Sequence, residues 1–269
     1  MSEQHREGMS APVVSSERGP RIFLQLFWWF PLLAIAVAIT LFGLERLRRT
    51  GRDDRCREHL KLVCRALVLY PGFFHRFPPP YLTNASGTAM HSWRTLAAVL
   101  LLNDLPVATL RGYKFSEPWD SPSNTRFRNE RQYFSYSCPI SAKRFQYASY
   151  LCVLGGALWP LPKRTGPNWD GRDWATATGG GVMPRHGKAL LLVEVTQSDI
   201  PWTRPTDITL GELASLLRDD PSGNRFRRRI RHVVAVDAAE TLFILDPARE
   251  IQEIRDLVES ETAAKPGQG

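Results

Sequence analysis

The longest apolar run in the chain occupies residues 22–44, IFLQLFWWFPLLAIAVAITLFGL, and contains no charged side chain. It exceeds the ~20 residues a helix needs to cross a ~30 Å hydrocarbon core. Gln25 and Thr40 are its polar interruptions, and Pro31 lies inside it. A membrane helix tolerates such a proline because neighbouring groups re-satisfy the freed carbonyl. Buried helices of globular cores rarely stay apolar on every face for so many turns. The run therefore predicts a membrane span bounded by Arg21 and Glu45.

Beyond the span the pattern becomes periodic. Apolar residues fall at Cys56, Leu60, Val63, Cys64, Leu67 and Tyr70, while Arg57, Glu58, Lys61 and Arg65 lie mostly off that stripe. This spacing predicts a helix docked on a sheet and stopping at Pro71 and Gly72. Gly51 alone interrupts its union with the span, so one long helix is expected. Residues 77–81, with three consecutive prolines, predict extended chain leading into a polar turn at 83–87. Ser92 is placed to cap a helix from Trp93 to about Leu102, ahead of Pro106. Residues 117–124 read as a loop, followed by a short arginine-rich segment.

Residues 147–154 and 188–196 are the best strand candidates, the second a continuous apolar run with Glu194 inside it. The long Gly/Pro/Trp segment between them, 155–186, reads as a loop that is either a functional surface or disordered. Thr209 and Glu212 fit a capping box that opens a helix to about Leu217. Residues 232–238 and 241–245 predict a final hairpin. Asp246 then caps a helix with Pro247 at its first position and Ile251, Ile254, Leu257 and Val258 on one face. The expected organisation is a disordered tail at 1–20, a transmembrane helix at 21–45, an α+β domain at 46–260, and a loose tail at 261–269.

Composition changes this picture in two places. The net charge is +8, and much of it is local: Arg46, Arg48, Arg49, Arg52, Arg55 and Arg57 follow the span, and five arginines cluster at 225–231. Beside a bilayer the first cluster suits anionic head groups. The second reads either as an anion contact or as a solvated edge, the latter preferred. Neither accompanies a nucleic-acid-binding motif, so nucleic acid is not an expected partner. The four cysteines are Cys56, Cys64, Cys138 and Cys152. On one helix Cys56 and Cys64 would stand ~12 Å apart and cannot bridge. That leaves Cys138 and Cys152 as the candidate disulfide in an oxidising compartment. No CxxC pair suggests zinc, and Cys56 with His59 supplies only two ligands, so no metal is expected.

Catalytic signatures are equally sparse. The chain lacks a nucleophile elbow, a Walker loop, HExxH and GxGxxG. His91 beside Ser92 lacks a triad partner and reads as a structural histidine. Glu194 is either a buried carboxylate of interest or one that pairs with an arginine such as Arg204 or faces solvent. Asp120 suits an Asx-type turn. The glycines at 179–181 read as a flexible loop. Trp119, Trp159, Trp169, Trp174 and Trp202 either line a ligand or glycan groove or simply pack. Neither an enzyme nor a cofactor is expected.

Several segments, in order, resemble the planctomycete-type pilin-like (pseudopilin-like) proteins with a large uncharacterised, solute-binding-like C-terminal domain. They are Cys56–Lys61 with Ala66, Leu67 and Tyr70; Phe77 to Pro79; Met90 to Leu96, including His91, Ser92, Trp93 and Arg94; Glu117, Pro118, Trp119, Asp120, Ser121 and Pro122 with Asn124; Tyr136 to Pro139; Ser149 to Leu151 with Gly155; Leu192 to Val195, including Glu194; and Pro201 to Pro205, including Trp202, with Asp207. The resemblance implies a long N-terminal helix, half in the inner membrane, packed on an antiparallel sheet. It also implies no enzymatic activity, and other pilin-like subunits as partners in a secretion- or pilus-type assembly. Two features depart from the family: no prepilin-peptidase site precedes the span, and residues 236–243 replace its glycine-containing turn. The expectation is therefore an anchor that stays in the bilayer. The arginines after the span predict a cytoplasmic domain, whereas the resemblance implies an extracytoplasmic one, and the latter is preferred.

Overall fold

The computed structural model describes residues 20–101, 112–129, 136–138, 146–161, 166–171, 177–220 and 222–264. In order the elements are α1 (Pro20–Phe74), β1 (Tyr81–Thr83), β2 (Ala89–Ser92), α2 (Trp93–Leu101), α3 (Pro122–Asn129), β3 (Tyr150–Leu154), β4 (Lys188–Val195), β5 (Ile208–Thr209), α4 (Leu210–Arg218), α5 (Asn224–Arg229), β6 (Ile230–Asp237), β7 (Leu242–Leu245) and α6 (Ile251–Ala263). Helices packed on sheets make the chain α+β, as the patterning predicts. It divides into two compact units, Met1–Gly51 and Arg52–Gly269.

In the first unit Leu32, Leu33, Ile35, Val37 and Leu41 are all exposed. At 3.6 residues per turn they point around most of the helix circumference. Thr40 hides its hydroxyl by donating to the Ala36 carbonyl at 2.8 Å. Among the described residues, no helix is long and apolar enough to cross a membrane. Side chains are described from Pro31 onward, so those at 22–30 of the expected span lie outside them. Outside the described residues, too, are positions 1–19 of the expected N-terminal tail, 265–269 of the expected C-terminal one, Leu102, Pro106, Pro139 and Trp174.

In the second unit a five-stranded sheet has the order β5-β3-β4-β6-β7. Four strands pair antiparallel, but β5 runs parallel to β3, so the expected wholly antiparallel sheet is a mixed one. Parallel pairing arises because the chain reverses twice, into β4 and again over residues 196–207, so that Ile208 and Thr209 run in the direction of β3 beside Val153 and Leu154. β4 is buried almost throughout. An unbroken apolar run is what a central strand covered on both faces requires. Leu60, Val63, Cys64 and Leu67 of α1 join one core with Leu190, Leu192 and Val234 of the strands, Leu213 of α4, and Ile254 and Val258 of α6. Each such side chain stabilises the fold by about 1.5–3 kcal/mol relative to exposure.

The ends of several elements differ from the sequence reading. α1 passes through Pro71 and Gly72 to Phe74, where the Tyr70 and Phe74 rings pack 4.3 Å apart. It stops at His75, which adopts φ +62° and donates its N–H to the Pro71 carbonyl. The predicted capping box is present: Glu212 donates its N–H to Thr209 Oγ1, and Thr209 N–H donates to Glu212 Oε2. Asp246, in contrast, does not cap α6. Its carboxylate accepts the Ala248 N–H and its carbonyl the Glu250 N–H, closing a separate turn that delays the helix to Ile251. α6 also extends past the expected start of the tail. Glu261 is buried, and its carboxylate accepts the Leu190 N–H at 2.9 Å and the Ala157 N–H at 2.8 Å.

The triple glycine is not a flexible loop. Gly181 donates its N–H to the Leu158 carbonyl and accepts the Phe77 N–H, threading between two backbones. A Cβ on Gly180 or Gly181 would overlap the Phe77 or Ala157 carbonyl oxygen. Close approach of backbone, rather than mobility, is what these glycines permit.

Candidate functional site

Two buried polar clusters lie among the sequence motifs. The first is centred on Arg94. Ser92 ends β2 and its Oγ accepts the Arg94 N–H, capping α2 as expected. The Arg94 side chain is fully buried. Its Nη2 donates to Asp207 Oδ1 at 2.5 Å and to the Tyr150 carbonyl at 3.0 Å. Nε donates to the same carbonyl, and Nη1 to Ser92 Oγ at 2.8 Å. Asp207 also accepts from Trp93 Nε1 and from the Cys152 N–H. Burial raises its carboxyl above the usual aspartate range, against the opposing pull of Arg94, Trp93 and Cys152. Tyr136 donates its hydroxyl to the Arg94 carbonyl at 2.6 Å. Two motifs 113 residues apart thus form one internal strut.

The remaining motif residues support this strut. His91 bridges the Tyr113 hydroxyl at 2.9 Å and the Phe115 carbonyl at 2.8 Å. Nε2 must donate to the carbonyl, so Nδ1 accepts from the tyrosine; the neutral tautomer is assigned from these partners. Burial pushes its pKa down to about 4. With both nitrogens engaged, the structural histidine predicted from the sequence is what the geometry supplies. Trp119 in the Glu117–Pro122 loop donates its backbone N–H to the Met90 carbonyl, while Glu117 pairs with Lys114 at the surface. Asn124 clamps the loop through the Lys114, Glu117 and Pro118 carbonyls. The turn expected from Asp120 is built by Ser121, whose Oγ accepts the Asn124 N–H ahead of Pro122, the first residue of α3. Trp159 is buried and donates to the Leu191 carbonyl, Trp202 stacks on Tyr136, and Trp169 donates to the Thr83 carbonyl. Packing accounts for these tryptophans. Pro205 lies in the turn where Thr206 N–H meets the Arg204 carbonyl, just before Asp207.

The second cluster surrounds Glu194. Register aligns Tyr150, Glu194 and His232 across β3, β4 and β6. A bulge then lets Arg231, as well as His232, approach the same carboxylate: Glu194 pairs with His232, and Val195 with Ile230. His232 Nδ1 lies 2.7 Å from Glu194 Oε2. Oε1 is buried and accepts no hydrogen bond; Arg231 Nε stands 3.8 Å away. Arg231 Nη1 reaches Asp53 Oδ1 at 3.4 Å and Cys56 Sγ at 3.9 Å. Glu194 therefore pairs with His232 and Arg231, whereas Arg204 lies over the Trp119 ring. An unsatisfied buried carboxylate oxygen costs about 1–3 kcal/mol. Nearby, the Tyr150 hydroxyl meets His59 Nδ1 at 3.0 Å. Burial lowers His59 to about 4, and burial followed by the Glu194 charge raises Tyr150, so tyrosine donates and histidine accepts.

The disulfide borders this cluster and overturns the sequence pairing. Cys138 is bonded to Cys56, with Cα atoms 5.3 Å apart, not to Cys152. The reason is register. Cys138 N–H donates to Ser149 Oγ, and Ser149 N–H to the Tyr136 carbonyl. Cys138 thus runs beside Ser149, three residues and ~10 Å of strand from Cys152. Cys64 and Cys152 are free, buried thiols whose pKa burial raises.

Cys56, Cys138 and Glu194 present two sulfurs and one carboxylate oxygen within 4.8 Å of one another. The sequence singled out Glu194, all four cysteines and the arginine cluster that includes Arg231, but not their convergence, and His232 carried no signal of its own. No family model, curated protein or solved structure matches the chain. What the fold and clusters define is an α+β domain with one fully satisfied and one incompletely satisfied polar centre.

Proposed function

We propose that the chain is a membrane-anchored, non-enzymatic, pseudopilin-like structural protein, linked to a secretion- or pilus-type assembly, with its soluble domain extracytoplasmic. One observation carries this reading: Leu60, Val63, Cys64 and Leu67 of α1 are buried in the core they share with the sheet. An N-terminal helix used as the spine of an α+β domain is the arrangement the motif resemblance implies. The Cys56–Cys138 disulfide favours the oxidising side of the membrane, against the arginine count. The uncharged run at 22–44 supplies the anchor. The full chain is expected to resist alkaline extraction from membranes, and Leu33→Arg with Ile35→Arg to release it. Cross-linking in native membranes is expected to capture other pilin-like chains. Wild-type protein that washes off, or cross-links that never include such a chain, would sink the proposal.

A second reading, a tethered solute-binding module, is favoured by a cavity of about 470 Å³ between α4 and α6. Leu217 and Val258 supply apolar walls, and Arg218, Arg255 and Glu259 supply charges of both signs, a combination suited to a small amphiphilic ligand. A ligand of that class raises the melting temperature by mass action. A glycan screen is expected to give no shift, since Trp159 and Trp202 are buried and Trp169 is hydrogen-bonded to the Thr83 carbonyl.

A further inference from the structure

We propose that Cys56, Cys138 and Glu194 form a binding site for a thiophilic divalent cation of the Zn²⁺ type when the disulfide is in its dithiol form. The three donor groups lie within 4.8 Å of one another, and all three residues are buried. Two thiolates on one tetrahedral Zn²⁺ stand ~3.8 Å apart, given Zn–S of about 2.3 Å. The bonded sulfurs need only relax to ordinary non-bonded separation to reach that span. The short Cα–Cα distance of 5.3 Å keeps both on the same side of the carboxylate.

A second observation points independently to a cation. Glu194 is fully buried, and its Oε1 accepts no hydrogen bond. Its other oxygen is held by His232 Nδ1 at 2.7 Å, which fixes the direction of the carboxylate. Ligating carboxylates in metal sites are oriented in the same way by an outer partner. A divalent cation also leaves the local charge unchanged. With the disulfide closed, Glu194 faces Arg231, whose guanidinium also meets Asp53. Two thiolates add two negative charges, which a divalent cation neutralises while Arg231 keeps its place beside Asp53 and Cys56.

The chemistry is stoichiometric. A dithiol reductant attacks one cysteine sulfur, forms a mixed disulfide, and closes into its own disulfide. The disulfide in the protein gains two electrons and two protons, giving Cys56–SH and Cys138–SH. Cation binding forms two metal–sulfur bonds and releases those two protons to water. Cation and oxidant thus compete for the same pair of sulfurs.

The test uses detergent-solubilised full-length protein, reduced anaerobically with dithiothreitol, desalted, and titrated with Co²⁺. One equivalent is expected to give a thiolate-to-cobalt charge-transfer band that Zn²⁺ removes. Oxidised protein is expected to give none. E194Q should weaken cation binding at least ~10-fold, whereas the double variant C64S/C152S should leave the band unchanged. Circular dichroism monitors folding throughout. If reduction unfolds the domain, recovery of structure on adding Zn²⁺ supports the site, and failure to recover overturns it. A reduced, folded protein without the band overturns it, as does a band that persists at full affinity in E194Q or disappears in C64S/C152S.

Discussion

The two buried polar centres are built from similar parts but finished differently. Around Arg94, described donors and acceptors meet one another: Asp207, Ser92 and the Tyr150 carbonyl take the guanidinium, while Trp93 and Cys152 complete the carboxylate. Around Glu194, one oxygen is held and the other is not, with an arginine 3.8 Å off and a disulfide alongside. A satisfied network in a low-dielectric interior specifies one arrangement and stiffens it. An incomplete one keeps capacity for a further partner. The difference separates a brace from a candidate site, although both consist of a buried carboxylate beside an arginine.

That distinction can be broken by measurement. Reducing the Cys56–Cys138 bond, which joins residues 82 apart, should have the largest effect. Loop entropy at that span predicts a loss of about 4–5 kcal/mol, seen as a lower denaturant midpoint. Next, Asp207→Ala strands a fully buried guanidinium and should cost about 3–5 kcal/mol. Arg94→Met combined with Asp207→Leu should recover most of this; a single-variant loss below about 1 kcal/mol would refute the brace. Acid comes third. His59 and His91 are held near 4 when folded but titrate at about 6.5 when unfolded. Stability is therefore intact above about pH 6.5 and falls as pH drops toward 4, by about 3 kcal/mol for each histidine. His91→Gln, neutral throughout, should flatten the denaturation profile by one such share. Smallest is Glu194→Gln, which removes a desolvated, half-satisfied charge and should change stability by about 1 kcal/mol or less in the oxidised protein. An effect as large as that of Asp207→Ala would make the two centres alike.

Much of the scaffold was legible because its signals are local. The 56–70 stripe, the Ser92 and Thr209 caps, the two long strands and the final hairpin all follow from periodicity and short-range hydrogen bonding. α3 carried such a signal as well, Ser121 before Pro122, but the arginines after it masked the helical pattern. The two-residue β5 and the six-residue α5 are too short for periodicity to register. His91 was readable as structural because it lacked a catalytic partner in the sequence. Glu194 was noticed for its apolar surroundings, but its partners were not readable, since Arg231 reaches it through a bulge that no composition announces.

By itself the sequence determined the α+β class, the uncharged segment at 22–44, the amphipathic helix that follows it, and most element boundaries to within a few residues. These are consequences of chain geometry over one or two turns, and they need no knowledge of neighbours. Tertiary structure alone decided that β5 runs parallel to β3, that Cys138 meets Cys56 rather than Cys152, and that Glu194 meets His232 and Arg231. Those outcomes depend on strand register, where a shift of one residue sends a side chain to the opposite face. Register is fixed by the packing of the whole core.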